Sequence, residues 1–158
     1  MSVSKAADLH YERLSEDLIP TLLPIEHEAY PDPWTVAMFR QELDNPASYF
    51  CVAYLDDRLV GYGGFWFVVD EIHVTKVTVA LPHRGYGYGR ALMAHLEQHG
   101  RTLGAVTSRL EVRERNTPAR TLYARIGYRP VGLRRGYYAK TNETAVVMSK
   151  VLSAEFSA

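Results

Sequence analysis

The run Arg84-Gly85-Tyr86-Gly87-Tyr88-Gly89-Arg90 decides how the chain is read. Before it lies Val77-Thr78-Val79-Ala80-Leu81, an apolar, β-branched run that reads as a strand. After it, Ala91-Leu92-Met93 with Leu96 and Leu103 recurs at helical spacing. The order is therefore strand, glycine-rich turn, helix. Three glycines without side chains let backbone N–H groups converge, and the helix adds its unpaired first-turn N–H groups and the positive end of its dipole. Such a turn is an anion pocket suited to phosphate or pyrophosphate. Arg84 and Arg90 flank it with positive charge. A P-loop would need Lys and then Ser or Thr after its last glycine, where Arg90-Ala91 stands. A dinucleotide fingerprint needs a third glycine at the position of Arg90.

Outward from the turn, the pattern predicts seven strands and four helices. Residues 8–14 read as a first strand. Ser15-Glu16-Asp17 starts a helix with Leu18, Leu22, Ile25 and Ala29 on its inner face, which Pro24 is expected to break or kink. Thr35 caps a second helix ending at Asn45-Pro46. Residues 49–55 and 58–68 form a hairpin around Asp56-Asp57, and Gly61, Gly63 and Gly64 point to a bend or a close backbone approach. Residues 71–81 form the strand before the turn, and 88–103 the helix after it, closed by Gly104. A strand at 106–113 leads to a helix capped by Asn116 and Thr117 and closed by Gly127. Strands at 128–133 and 145–151 follow, with 134–144 as a loop between them. The class is α/β, a mixed sheet with helices on both faces.

Composition narrows the function. A length of 158 residues with 47% hydrophobic content suits one domain, 1–158, with a sizeable core. No apolar run approaches the ~18 residues of a membrane span. The N-terminus lacks the apolar stretch of a signal peptide. The one cysteine, Cys51, excludes an internal disulfide, suits a reducing cytoplasm, and reads as a packed strand residue. Net charge is zero, but residues 1–83 carry 5 Lys/Arg against 13 Asp/Glu, and residues 84–158 carry 13 against 5. That split fits an anionic ligand on one side and a cationic one on the other. The arginines are scattered and form no nucleic-acid reader motif. His95 and His99 lie four apart, but Glu97 is misplaced for His-Glu-x-x-His, so no metal is expected.

A second block is informative: Leu110-Glu111-Val112-Arg113, then Asn116, then Leu122-Tyr123-Ala124-Arg125-Ile126-Gly127-Tyr128. Strand alternation puts Glu111 opposite Leu110 and Val112, on the side that borders a cleft. Tyr123 lies on the following helix, and Asn116 stands at its start. A carboxylate that can take an amine's proton and a phenol that can give one suit acyl transfer to nitrogen. A strand backbone N–H can polarise the carbonyl.

With these residues in place, the chain resembles the GCN5-related N-acetyltransferase family, and within it the RimI-type ribosomal-protein-alanine N-acetyltransferases. The likeness rests on Arg84, Gly87 and Gly89 in the turn, and on Ile25-Glu26, Pro33-Trp34, Asp70-Glu71 and Val77-Thr78-Val79. It continues through Leu110-Glu111-Val112-Arg113, Asn116, Leu122-Tyr123, Arg134-Arg135-Gly136-Tyr137-Tyr138 and Ala145-Val146-Val147-Met148. The resemblance implies a mostly antiparallel mixed sheet and an acetyl-CoA-dependent enzyme acting on the N-terminal α-amine of a protein, an alanine of a ribosomal protein. It implies Glu111 as general base and Tyr123 as general acid. Val77, Thr78 and Val79 would hold the pantetheine and thioester. Arg84, Gly85, Tyr86, Gly87, Tyr88, Gly89 and Arg90 would hold the pyrophosphate, and Asn116 would also touch acetyl-CoA. Tyr137 and Tyr138 would shape the peptide site from a loop. Thr144 stands where the family usually has Asp, and Leu81-Pro82-His83 replaces its usual Asp-Pro. A small-molecule amine as acceptor, such as an antibiotic or polyamine, and a non-catalytic acyl-CoA sensor are the alternatives.

Overall fold

The computed structural model describes residues 8–152. Its elements run β1 (His10–Arg13), α1 (Ile19–Ala29), α2 (Val36–Asp44), β2 (Ser48–Leu55), β3 (Arg58–Val68), β4 (Glu71–Val79), α3 (Tyr88–Leu103), β5 (Thr107–Arg113), α4 (Thr117–Arg125), β6 (Arg129–Tyr138) and β7 (Glu143–Val151). Short 3₁₀ turns precede α1 and α3. The seven strands form one sheet in the order β1-β2-β3-β4-β5-β7-β6. Only β4 and β5 are parallel, joined by the crossover through α3.

The sheet has a core on each face. Leu92, Met93 and Leu96 of α3 pack on Ile72, Val74, Leu110, Val112 and Met148. On the opposite face Ile19 and Leu22 of α1 and Phe39 of α2 pack on Phe50, Val52 and Tyr62. Complete burial of a side chain such as Leu22 stabilises by about 1.5–3 kcal/mol. Cys51 is buried in β2, and burial pushes its thiol up to about 12, which suits packing and not nucleophilic attack. Asp56 takes a positive φ of 54° in the β2–β3 turn, a conformation Asp tolerates better than most residues.

The β3 glycines mark close approach. A Cβ on Gly61 or Gly63 would lie 2.5 Å from the carbonyl oxygen of Thr78 or Lys76 on β4. Beside Gly64 the β3–β4 register slips, so Thr75 is passed over as Gly64 pairs with Lys76 and Phe65 with Val74. The bulge changes the phase of β4. Ile72, Val74 and Val77 belong to the α3 side, while Lys76 reaches Glu26 of α1 on the other.

Three expectations are corrected. Pro24 does not break α1, which runs unbroken from Ile19 to Ala29. The carbonyl freed by its missing N–H is that of Pro20, in the exposed first turn, where water can serve it. The innermost residues of α1 are Ile19, Leu22 and Glu26, one step round from the apolar stripe, because Glu26 finds buried polar partners. Residues 134–144 are not one loop: β6 continues through Tyr138 and β7 begins at Glu143. Arg-Arg-Gly-Tyr-Tyr shows no two-residue alternation because β6 is an edge strand, largely exposed. Its pairing to β7 is irregular between Arg134 and Tyr138, beside Gly136 at a φ of 67°.

Candidate active site

β4 and β5 are paired from Glu71 with Thr107 up to Val74 with Leu110, and then separate. Beyond that point a cavity of about 550 Å³ opens between them. Tyr30, Asp32 and Trp34 wall one side, and Met38, Gln41 and Glu42 of α2 continue that wall. Asn116, Ala119 and Tyr123 close it from α4, and Tyr137 and Tyr138 from the end of β6. The expected residues Val77, Glu111, Asn116, Tyr123, Tyr137 and Tyr138 all line this space.

Along the open edge of β4, the carbonyl of Val77 accepts from the Tyr30 hydroxyl at 3.2 Å, and that of Val79 from Arg84 Nε at 2.8 Å. In a strand the N–H and C=O of one residue point the same way, so the N–H groups of Val77 and Val79 face this edge too. Thr78 is buried and its hydroxyl is bonded to Tyr30 at 2.6 Å. Its backbone groups alternate with those of Val77 and Val79 and so face β3, which leaves it no group at the open edge.

At the end of β4, Gly85 and Gly87 take φ values of 90° and 85°, which side chains resist, and Gly87 caps α3. A Cβ on Gly85 would meet nothing within 4 Å, so this stretch of backbone stands open. Turn and helix start together fit the pyrophosphate of a coenzyme. The arginines divide their work: Arg84 also donates to Glu28 at 2.9 Å, whereas Arg90 lines a separate cleft with Glu97, Arg125 and Lys150. Tyr88 is buried against Ala53, Leu55 and Val60, so its side chain serves the core, and Tyr86 is exposed. The Asn116 side-chain oxygen caps α4 by accepting from the Ala119 N–H at 3.2 Å, leaving its amino group for a ligand.

Glu111 is nearly enclosed, with 4% of its side chain exposed. Oε1 accepts from His73 Nε2 at 2.5 Å. Oε2 is buried and has no hydrogen-bond partner among the described residues; Arg134 Nε lies 3.9 Å away. Burial pushes the carboxyl up, but the His73 hydrogen bond and the charges of His73, Arg134 and Arg109 together hold it below the usual range. Glu111 is therefore an anion at neutral pH. Burial raises the Tyr123 hydroxyl to about 12, so it stays protonated and can donate.

Lys76 on the far wall, and Glu26 buried behind it, are residues to which the sequence assigned no role. Glu26 is fully buried; it accepts from the Tyr62 hydroxyl at 2.8 Å, the Trp34 N–H at 2.9 Å and Lys76 Nζ at 2.5 Å. The Lys76 ammonium lies 4.0 Å from the Tyr30 ring centre and 4.4 Å from that of Trp34. Burial pulls its pKa down, opposed by Glu26. The available signal was polar: His73 and Lys76 interrupt a strand otherwise fit for a core. At the rim, Arg113 donates to Asp32 at 2.6 Å and to Glu143 at 2.9 Å, with its guanidinium 4.0 Å from the Tyr138 ring centre. It ties the α1–α2 loop to the β6–β7 hairpin.

The family model of the GNAT acetyltransferases matches residues 19–128. The chain belongs to that family. It is an acetyl-CoA-dependent N-acetyltransferase. It is 32% identical over 144 residues to a ribosomal protein bS18-alanine N-acetyltransferase of Salmonella typhimurium, covering 89% of this chain and 95% of that one. It is 36% identical over 123 residues to the N-alpha-acetyltransferase RimI of Mycobacterium tuberculosis, covering 75% and 76%. The solved ribosomal-protein-S18-alanine N-acetyltransferase of Escherichia coli superposes with a TM-score of 0.83 at 25% identity, covering 94% of this chain and 97% of that one. The mixed, mostly antiparallel sheet with helices on both faces is thus the fold of this GNAT enzyme. No helix among the described residues is long and apolar enough to cross a membrane.

Proposed function

We propose that this enzyme acetylates the N-terminal α-amine of a protein, an alanine of a ribosomal protein, in the cytoplasm. The observation that carries the reading is Glu111, an enclosed carboxylate with one oxygen unpaired beside the cavity. The activities named for the Salmonella and Escherichia coli relatives point to the same acceptor.

Acetyl-CoA supplies the activated acetyl group. Glu111, ionised at neutral pH, takes the proton from the incoming ammonium so that the nitrogen lone pair becomes available. An α-amine, with a reference pKa near ~8, gives that proton up more readily than lysine near ~10.4. The outward N–H groups of Val77 and Val79 are placed to hold the thioester oxygen as charge develops on it. As the C–S bond breaks, Tyr123 gives its proton to the departing sulfur, and the second proton that the nitrogen loses on forming the amide restores the phenol. Tyr137, Tyr138 and the Asp32 side of the rim form the mouth through which a peptide enters.

The test is thiol release from acetyl-CoA with a peptide beginning Ala-Arg, beside the same peptide blocked at its N-terminus. Turnover with the free peptide alone is expected. Equal rates with the two would overturn α-amine transfer. Turnover with small amines and none with peptides would overturn the protein acceptor.

A further inference from the structure

The closest partner of Glu111 is His73 of β4, at 2.5 Å, while Arg134 and Tyr137 of β6 approach it from the other side. Glu111 and His73 meet across the last paired stretch of β4 and β5, just before the strands part. An ionised carboxylate only accepts hydrogen bonds, so His73 Nε2 must carry the proton between them. That bond occupies Oε1 and leaves Oε2 as the unpaired oxygen. We propose that His73 is a positioning residue for Glu111, holding Oε1 so that Oε2 is the carboxylate oxygen presented to the acceptor amine.

A carboxylate on a flexible two-carbon stem could otherwise turn toward Arg109 or Arg134. A bond from a rigid ring on the neighbouring strand prevents that. The groups facing the pair are Glu71 on β4, Arg109 on β5, and Arg134, Tyr137 and Tyr138 on β6. The arginines are partly exposed and screened, whereas His73 is in hydrogen-bond contact, with 21% of its side chain exposed. Removing its N–H takes away the largest influence that opposes burial at Glu111. The carboxyl pKa then rises, and the acid limb of the rate profile moves to higher pH.

This inference rests on Glu111 being the base, and the experiment separates the two. Turnover at saturating acetyl-CoA and peptide is measured across pH for the wild type, Glu111→Gln, His73→Leu and His73→Gln, with each fold checked by circular dichroism. Glutamine keeps an N–H donor near the position of Nε2; leucine does not. His73→Leu is expected to lower kcat about 10-fold or more, leave the peptide KM within about two-fold, and shift the acid limb upward. His73→Gln is expected to restore most of the rate and return the limb toward the wild type. Wild-type kcat and profile in His73→Leu would overturn the inference, as would equal impairment of the two variants with an unshifted limb. Full turnover in Glu111→Gln would remove the base assignment and this inference with it. An inactive Glu111→Gln beside an unaffected His73→Leu would remove this inference alone.

Discussion

Two carboxylates with almost fully buried side chains stand near the site: Glu111 lines the cavity, and Glu26 lies behind Lys76, which lines it. Glu26 has a partner on each oxygen: Tyr62 on one, Trp34 and Lys76 on the other. Glu111 has His73 on one oxygen and no hydrogen bond on the other. The difference shows how burial alone fails to distinguish structure from chemistry. A saturated anion has no remaining role but to hold α1 to the sheet, through Tyr62 of β3 and its ion pair with Lys76 of β4, and to the α1–α2 loop through the Trp34 N–H. An unsaturated one keeps a desolvation cost unmet, and an incoming ammonium can meet it. The same contrast separates Tyr62, which donates to Glu26, from Tyr123, whose hydroxyl makes no hydrogen bond among the described residues.

The sharpest way to break this comparison is to neutralise each anion. Glu111→Gln should lower turnover about 10²–10⁴-fold while the thermal midpoint and acetyl-CoA affinity stay near the wild type. A large loss of stability there would mean that Glu111 is structural as well. Glu26→Ala should do the reverse. It leaves the Lys76 ammonium buried without its counter-ion, and such breaks cost about 3–5 kcal/mol, measured as a lower denaturation midpoint. The double change Glu26→Gln with Lys76→Met should recover much of that loss, since uncharged replacements of a buried pair are often near neutral. Failure to recover would show that the pair holds geometry that packing cannot replace. Tyr123→Phe keeps the ring and loses the proton, so kcat should fall about 10²-fold, at the low end of acid–base effects. Unchanged turnover with an intact fold would remove it as the acid. Smallest is Thr35→Ala, which deletes the cap on Met38 at 3.2 Å and should cost about 1 kcal/mol. Because α2 supplies the Met38–Glu42 wall, a change in peptide KM exceeding that stability loss would place the wall in acceptor binding.

Much of this architecture was legible beforehand because it is local. The Asp56 turn, the Thr35 and Asn116 caps, Gly104 beyond α3 and the glycine turn each follow from backbone preferences within a few residues. Glu111 and Tyr123 were readable as candidates because strand alternation and a nearby helix put them beside one cleft. Glu26, His73 and Lys76 were not, since a polar residue in an apolar run announces a partner without saying which. The Lys76–Glu26 pair spans 50 positions and the His73–Glu111 pair 38. The misplaced stripe on α1 has the same cause: its inner face is defined by Glu26, whose partners come from β3, β4 and the α1–α2 loop.

The sequence by itself determined the order of strands and helices, the glycine-rich turn and the family, because these depend on periodicity, capping and backbone freedom close along the chain. Only the tertiary structure decided which buried carboxylate is satisfied and which is open. That depends on a bulge at Thr75 that turns Lys76 toward Glu26, and on two parallel strands that separate just past His73, leaving room beside Glu111. Both are outcomes of sheet packing, in which residues far apart in the chain compete for the same few hydrogen-bond partners.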